Sequence, residues 1–352
     1  MYYLLFIIMI ATLVIMFIVK NQSYNYIVLN FLALFWISFC VFMIGFRYNV
    51  GTDYPNYETW FHYWYKDITF EWIYTGVNYI LKVSGGEFHY LTLLISLFSS
   101  LLLIFGIYKW NIRGINVILV LFLYTVSYLF LFANTMRQGV AIIIFFIAAR
   151  YIVERKFFKF LFWIFLGAGF HLSIIFMIPF YFIYKIQLRY TIFVLLVIAS
   201  YLIVGLNLSQ KILEFLLSFS PYAQKYLNSD LLSNTENSIL SPGVLIKTLI
   251  AILLLVKLKN IPNEYKIAMN FYMIGTIFRI FAISSYLFNR LGMYFQFFEI
   301  ICIVILLNQI KNKYFKILLY GFVIIIHLLL LYKLIIIDAE ANDFIYNSIF
   351  EK

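Results

Sequence analysis

Charge is scarce in this sequence. Asp, Glu, Lys and Arg make up only 12% of its 352 residues, where a soluble domain carries roughly 25%. The two cysteines, Cys40 and Cys302, lie inside apolar runs and lack the spacing of metal ligands. The acids do not cluster, so no divalent-metal site and no cofactor are expected. Basic residues give a net charge of +11, but they are spread over short loops. No basic run suits nucleic acid, and no nucleic-acid partner is expected. There is no internal repeat. The opening run, Tyr2–Val19, has neither a basic leader nor a small-residue cleavage site, so it reads as a retained helix.

Apolar residues are abundant instead, at 65%. Several runs reach the length that a helix needs to cross a bilayer core. The expected fold is an all-α integral membrane protein, with residues 1–352 forming a single polytopic domain. Spans fall near 2–19, 26–46, 90–108, 115–132, 138–153, 190–206, 243–257, 267–286, 291–308 and 314–336. Residues 157–184 are apolar but carry Gly167, Gly169, His171 and Pro179. They form either one long span or a hairpin of two short helices turning near Gly169–His171. Charge favours the hairpin. With it, Lys109, Arg113, Arg150, Arg155, Lys156, Lys185, Arg189, Lys257–Lys266 and Lys311–Lys316 all face the cytoplasm, as the positive-inside rule expects. A single crossing would put the last three groups outside. The hairpin gives about twelve membrane segments, with both termini outside.

Two outer loops follow, at about 47–89 and 208–242. The first opens with the turn chemistry of Gly51–Asn56. Residues 71–83 then read as an amphipathic helix lying at the membrane interface. Trp72, Ile73, Gly76, Val77, Ile80 and Leu81 make its apolar stripe, and Glu71, Thr75, Asn78 and Lys82 its polar one. The second loop is polar, and is a lid or a plain connection.

Polar islands gather at the same outer face. Arg47 ends the second span, where it anchors a helix or binds an anion. Arg137, with Asn134 and Gln138, stands where an anion could meet the amides of a helix start. Arg279 lies roughly 10 Å inside its span at 1.5 Å per residue. It either pairs with Glu299 or binds an anion. Arg290 is an anion ligand or an interface anchor. A guanidinium holds phosphate oxygens with two donors and stays charged, so several at one face suit a lipid pyrophosphate. His171, at the hairpin tip, is the candidate general base, with Glu71 and Asp53 as alternatives. Tyr54 and Tyr57 are candidate substrate contacts, or belong to an ordinary aromatic belt.

The sequence R-Y-N-V-G-T-D-Y-x-x-Y from Arg47, Glu71 beyond it, N-T-M-R-Q-G-V-A at 134–141, F-H-L-S at 170–173, and a late span pair with Arg279 and Arg290 resemble the EpsG family. This is the Wzy-like group of bacterial exopolysaccharide and O-antigen polymerases. The resemblance covers about 40–310. It implies a metal-independent glycosyltransferase in the bacterial cytoplasmic membrane, with its site at the outer face. Its donor and acceptor would be glycans on undecaprenyl pyrophosphate, and other polysaccharide-assembly proteins are potential partners. The arginines would steady the leaving pyrophosphate, and His171, Glu71 or Asp53 would take the acceptor's proton. A lipid-linked glycan ligase is the nearest alternative. A flippase or transporter would place its charges near the midplane, and an acyltransferase would need residues reaching the inner side.

Overall fold

Long apolar runs leave the backbone no partner but itself, and in this chain they become helices. The computed structural model describes residues 2–19, 25–66, 71–185, 189–218, 241–255, 261–340 and 344–351, and among these no strand is present. The chain divides into two compact units, Met1–Ile178 with Asn312–Lys352, and Pro179–Lys311.

Unit 1 begins with α1 (Tyr2–Val19) and α2 (Asn25–Gly45), followed by two short helices, α3 (Tyr54–Tyr63) and α4 (Trp72–Val83). Next come α5 (Phe88–Lys109), α6 (Ile115–Tyr124), a π turn (Thr125–Leu129), α7 (Phe130–Asn134), α8 (Met136–Val153) and α9 (Phe157–Ala168). A 3-10 helix, Leu172–Lys185, runs across the boundary between the units. Unit 2 holds α10 (Tyr190–Gly205), α11 (Leu208–Ser218), α12 (Pro242–Leu255), α13 (Lys266–Phe281), α14 (Tyr286–Gln296) and α15 (Glu299–Asn308). Unit 1 closes with α16 (Lys313–Tyr332), a π turn (Lys333–Ile337) and a C-terminal segment.

Five of these helical segments are long and apolar enough to cross a membrane: Ile27–Gly45, Phe88–Lys109, Ile115–Asn134, Met136–Val153 and Lys313–Ile337. Five more apolar helices are shorter. With the bent pair α14–α15 counted as one span, that makes up to six full spans and five short apolar helices among the described residues. The run at 291–308 is not one straight span. It bends by 44° between α14 and α15. Just before the bend, Gly275 of α13 presses on the α14 backbone, where an added Cβ would lie 2.5 Å from the Gln296 nitrogen. The run at 157–184 is interrupted at Gly169–His171, as the sequence suggests.

Helix α8 organises unit 1. Every residue from Gln138 to Ala149 is buried, as befits a helix that is apolar on all sides. Hydroxyls on α5 hold α2 beside it: Thr92 donates to the Gly45 carbonyl at 2.6 Å, and Ser96 to that of Val41 at 3.3 Å. Such hydroxyls hold helices together where lipid offers no hydrophobic drive.

The expected interfacial helix is α4, and its burial is inverted relative to a soluble helix. Its polar positions Glu71, Thr75 and Asn78 are buried, while Trp72, Tyr79, Ile80 and Val83 are exposed. Exposed apolar and buried polar side chains suit a helix lying against lipid. Two parts of the loops at 47–89 and 208–242 differ from expectation. Helix α3 occupies what reads as turn and loop, because Pro55 can sit in a first helical turn, where it gives up no needed donor. Residues 208–218 of the second loop are helical, while 219–240 lie outside the described residues.

Candidate active site

Two segments from the first loop meet the start of α8. Arg47 lies just past α2 and is fully buried. Its guanidinium donates to the carbonyls of Ile44 at 2.5 Å and Ala133 at 2.8 Å. These are orphan carbonyls at the ends of α2 and α7, and a cation suits the negative end of each helix. Burial pulls the Arg47 pKa down to about 10, so it remains charged at neutral pH. Behind it, the C-terminal segment crosses as a strap. The Tyr48 amide donates to Asn347 at 2.9 Å and the Ile349 amide to Phe46 at 3.0 Å, around an antiparallel bridge of Arg47 with Ser348. The Tyr346 hydroxyl adds a bond to Met43 at 3.1 Å.

The Gly51–Asp53 turn is fastened to Asn134. The Asn134 side-chain oxygen accepts from the Asp53 amide at 2.8 Å and from the Thr52 hydroxyl at 3.1 Å. Gly51 has φ +98°, and a Cβ there would lie 3.0 Å from the same oxygen, so the position needs glycine. The turn leads into α3, whose Tyr54 and Tyr57 point inward and are buried. Tyr54 lies under Arg47, 5.5 Å from the guanidinium carbon. The Arg137 guanidinium lies 5.4 Å from the rings of both Tyr57 and Tyr74.

Glu71, at the start of α4, joins the remaining pieces. One carboxylate oxygen is 2.7 Å from His171 Nδ1. The other pairs with Arg137 Nη1. The Leu172 amide donates to the carboxylate as well. Burial alone would raise the Glu71 pKa, but the His171 hydrogen bond and the Arg137 charge outweigh it and hold the carboxyl below its ordinary range. Burial pushes the neighbouring Tyr74 hydroxyl up, which keeps it neutral.

The break between α9 and the 3-10 helix delivers His171 to this point. The Gly169 carbonyl accepts from the amides of Ile73 at 2.9 Å and Tyr74 at 3.0 Å, which are free donors at the start of α4. A Cβ on Gly169 would come within 2.5 Å of the Ile73 side chain. Glycine is what lets the break lie against α4.

Unit 1 thus gathers Arg47, Asp53, Tyr54, Tyr57, Asn134, Arg137 and Gln138 around two connected helix ends, and links Arg137 through Glu71 to His171. Arg279 and Arg290 belong to unit 2. There Arg279 donates to Glu299 at 2.7 Å, and Lys247 of α12 reaches the same oxygen at 3.3 Å. The ion pair weighed from sequence is present, with Lys247 as a third member. Arg290 stands over the ring of Tyr286, 5.0 Å away.

Sequence reasoning passed over Tyr74, Lys247 and Tyr346. Tyr74 sits between the two stripes of α4 and matches neither. Lys247 had a signal, as a cation within an apolar run whose other lysine, Lys257, is at its end. Tyr346 had none. Among the described residues, no three His, Cys, Asp or Glu side chains gather in a way that could hold a metal ion.

The family model described as the EpsG family matches residues 30–348, nearly the whole chain. No curated protein and no solved structure matches it.

Proposed function

We propose, from the premise that this chain belongs to the EpsG family, that it polymerises lipid-linked glycan repeat units with Glu71, Arg137 and His171 at its centre. The family carries the coarse reading: a membrane protein of the Wzy-like polysaccharide-polymerase kind. The bridged triplet supports the rest. In it, a carboxylate takes His171 Nδ1 on one oxygen and Arg137 on the other.

The arrangement assigns each group a task. With Nδ1–H donated to Glu71, His171 Nε2 carries the lone pair and can accept a proton. The acceptor sugar's hydroxyl attacks C1 of the donor sugar and gives its proton to Nε2. The bond between C1 and the phosphate oxygen breaks, and undecaprenyl pyrophosphate leaves with the electron pair. Glu71 stabilises the imidazolium that forms, as a carboxylate does behind a catalytic histidine. Arg137 gives one nitrogen to Glu71, bonds Tyr57 and is 36% exposed, so its exposed edge can receive the pyrophosphate. Cationic side chains would neutralise the leaving group, and the reaction would need no divalent metal.

Arg47 and Asn134 have a positioning role in this scheme, because their polar groups are committed to holding the loop. Arg279 and Arg290 are assigned to substrate recognition by unit 2. The site would face outward from the bacterial cytoplasmic membrane, on the side opposite the basic loops.

The deciding experiment is a polymerisation assay on membranes carrying Arg137→Ala or His171→Ala. Loss of polymer with accumulation of single lipid-linked repeats, at normal protein levels, is expected. Polymer of undiminished length would remove these residues from the chemistry. Transfer of a finished glycan to another acceptor, without polymerisation, would move the assignment to a ligase.

A further inference from the structure

The opposite end of α8 carries a second concentration of charge that the reaction does not use. Segments 109–114 and 150–159 contain six basic residues, Lys109, Arg113, Arg150, Arg155, Lys156 and Lys159, against the single acid Glu154. The fold draws them together. Glu154 takes Lys156 at 2.8 Å on one oxygen and Lys109 at 3.1 Å on the other, with Arg150 at 3.9 Å. Aromatic rings fix further members: Lys109 lies 4.6 Å from the ring of Tyr151, Arg113 4.7 Å from Tyr108 and Arg150 5.6 Å from Trp110. One carboxylate cannot neutralise the three cations gathered on it, and the two segments supply three more.

The helix ends sharpen the imbalance. Lys109 and Arg150 lie in the last turns of α5 and α8, where a helix favours a cation. Arg155, Lys156 and Lys159 surround the start of α9, where a helix favours an anion. That helix has Lys156 at its N-cap position, no side chain capping it and no acid in its first turn. A positive helix end and basic side chains therefore converge with Glu154 as the only acid in these two segments. Beside them, Phe158, Phe162 and Phe165 run along one stripe of α9 and are 84%, 62% and 67% exposed.

We propose that this end of unit 1 is a binding site for an anionic glycerophospholipid. Its phosphate sits at the amino end of α9 among Lys109, Lys156 and Lys159, and its acyl chain lies along Phe158, Phe162 and Phe165. The apolar stripe selects a lipid over an acidic protein segment. A protein partner could satisfy the charges but would leave these rings uncovered.

The test uses the purified full-length chain and two lipids of equal chain length, phosphatidylglycerol and phosphatidylcholine. Native mass spectrometry should show phosphatidylglycerol retained in preference to phosphatidylcholine. In Lys156→Gln/Lys159→Gln the preference should fall by about tenfold or more. Because loop charge also directs insertion, a second measurement leaves the charges in place. A photo-crosslinking residue at Phe158, in the otherwise unaltered chain, should capture labelled phosphatidylglycerol well above phosphatidylcholine. Equal retention and equal capture of the two lipids would overturn the proposal. Displacement of phosphatidylglycerol from Phe158 by anionic lipid but not by a soluble acidic peptide supports it. Binding of such a peptide without any lipid preference would overturn it in favour of a protein partner.

Discussion

Glu71 and His171 lie a hundred residues apart in the chain, and their side chains meet at 2.7 Å. Neither is an isolated candidate base. The carboxylate fixes the ring, and the ring is held at the interruption between two short helices. His171→Ala should lower turnover by about 10²- to 10⁴-fold, the usual contribution of a general base. Glu71→Gln keeps a hydrogen-bond acceptor but loses the charge, so its loss should be smaller and fall on turnover more than on substrate affinity. Single-turnover assays with lipid-linked repeats would check both. An unchanged rate in His171→Ala would remove the histidine from proton transfer.

The depressed Glu71 pKa also predicts a pH signature. A group whose pKa is lower folded than unfolded stabilises the fold above its unfolded pKa. That contribution is lost as pH falls through the folded value. The wild-type protein should therefore gain stability relative to Glu71→Gln as pH rises through the ordinary carboxylate range. The difference should vanish in more acidic buffer. Thermal unfolding in detergent across that range would show it, and two parallel curves would contradict the ionised pair.

Arg137 should not tolerate lysine. Its guanidinium lies near two tyrosine rings, bonds Tyr57, and sends one nitrogen to Glu71, with about a third of the side chain left exposed. An ammonium cannot reproduce that fork. Arg137→Lys should insert normally yet retain only a small fraction of wild-type activity, close to that of Arg137→Ala. Near-wild-type polymer from the lysine variant would show that charge alone suffices.

Much of this site was legible in the sequence, because each half is written locally. The two stripes of α4, the turn at Gly51–Asp53 and the Asn134–Arg137 island are short-range patterns. The break at Gly169–His171 likewise shows as glycines within an apolar run. Pairings across long separations were not legible. Glu71 reads as a competitor of His171 until the fold makes it a partner. The strap residues 344–351 show no period that would announce pairing with Phe46–Tyr48. The bend between α14 and α15 depends on how Gly275 packs, which hydropathy does not record.

The strap gives its own prediction. Among its contacts with the end of α2 and the residues that follow are two backbone hydrogen bonds and the bond from the Tyr346 hydroxyl to the Met43 carbonyl. Tyr346→Phe should cost about 1 kcal/mol, the net value of one such bond. Truncation before Phe344 should leave a membrane-inserted protein with little activity, because the Arg47 turn loses its backing. Quantified polymer against protein level would check this, and full activity in the truncated chain would show that the turn holds itself.

Gly169 offers the sharpest test of how the dyad is assembled. A Cβ at this position would meet the Ile73 side chain at 2.5 and 2.6 Å, so Gly169→Ala must push α4 and the helix break apart. Overpacking of this kind costs about 1–3 kcal/mol, and the first casualties should be the two hydrogen bonds from α4 to the Gly169 carbonyl. His171 would then move relative to Glu71, and activity should fall further than stability. Shortening the neighbour supplies the control. Ile73→Ala alone should be mild, since Ile73 is only partly buried, and in combination with Gly169→Ala it should restore much of the lost activity. Rescue of that kind requires the two positions to act on each other. If the double variant is as inactive as Gly169→Ala alone, close packing of α4 on the helix break is not what sets the geometry of Glu71 and His171.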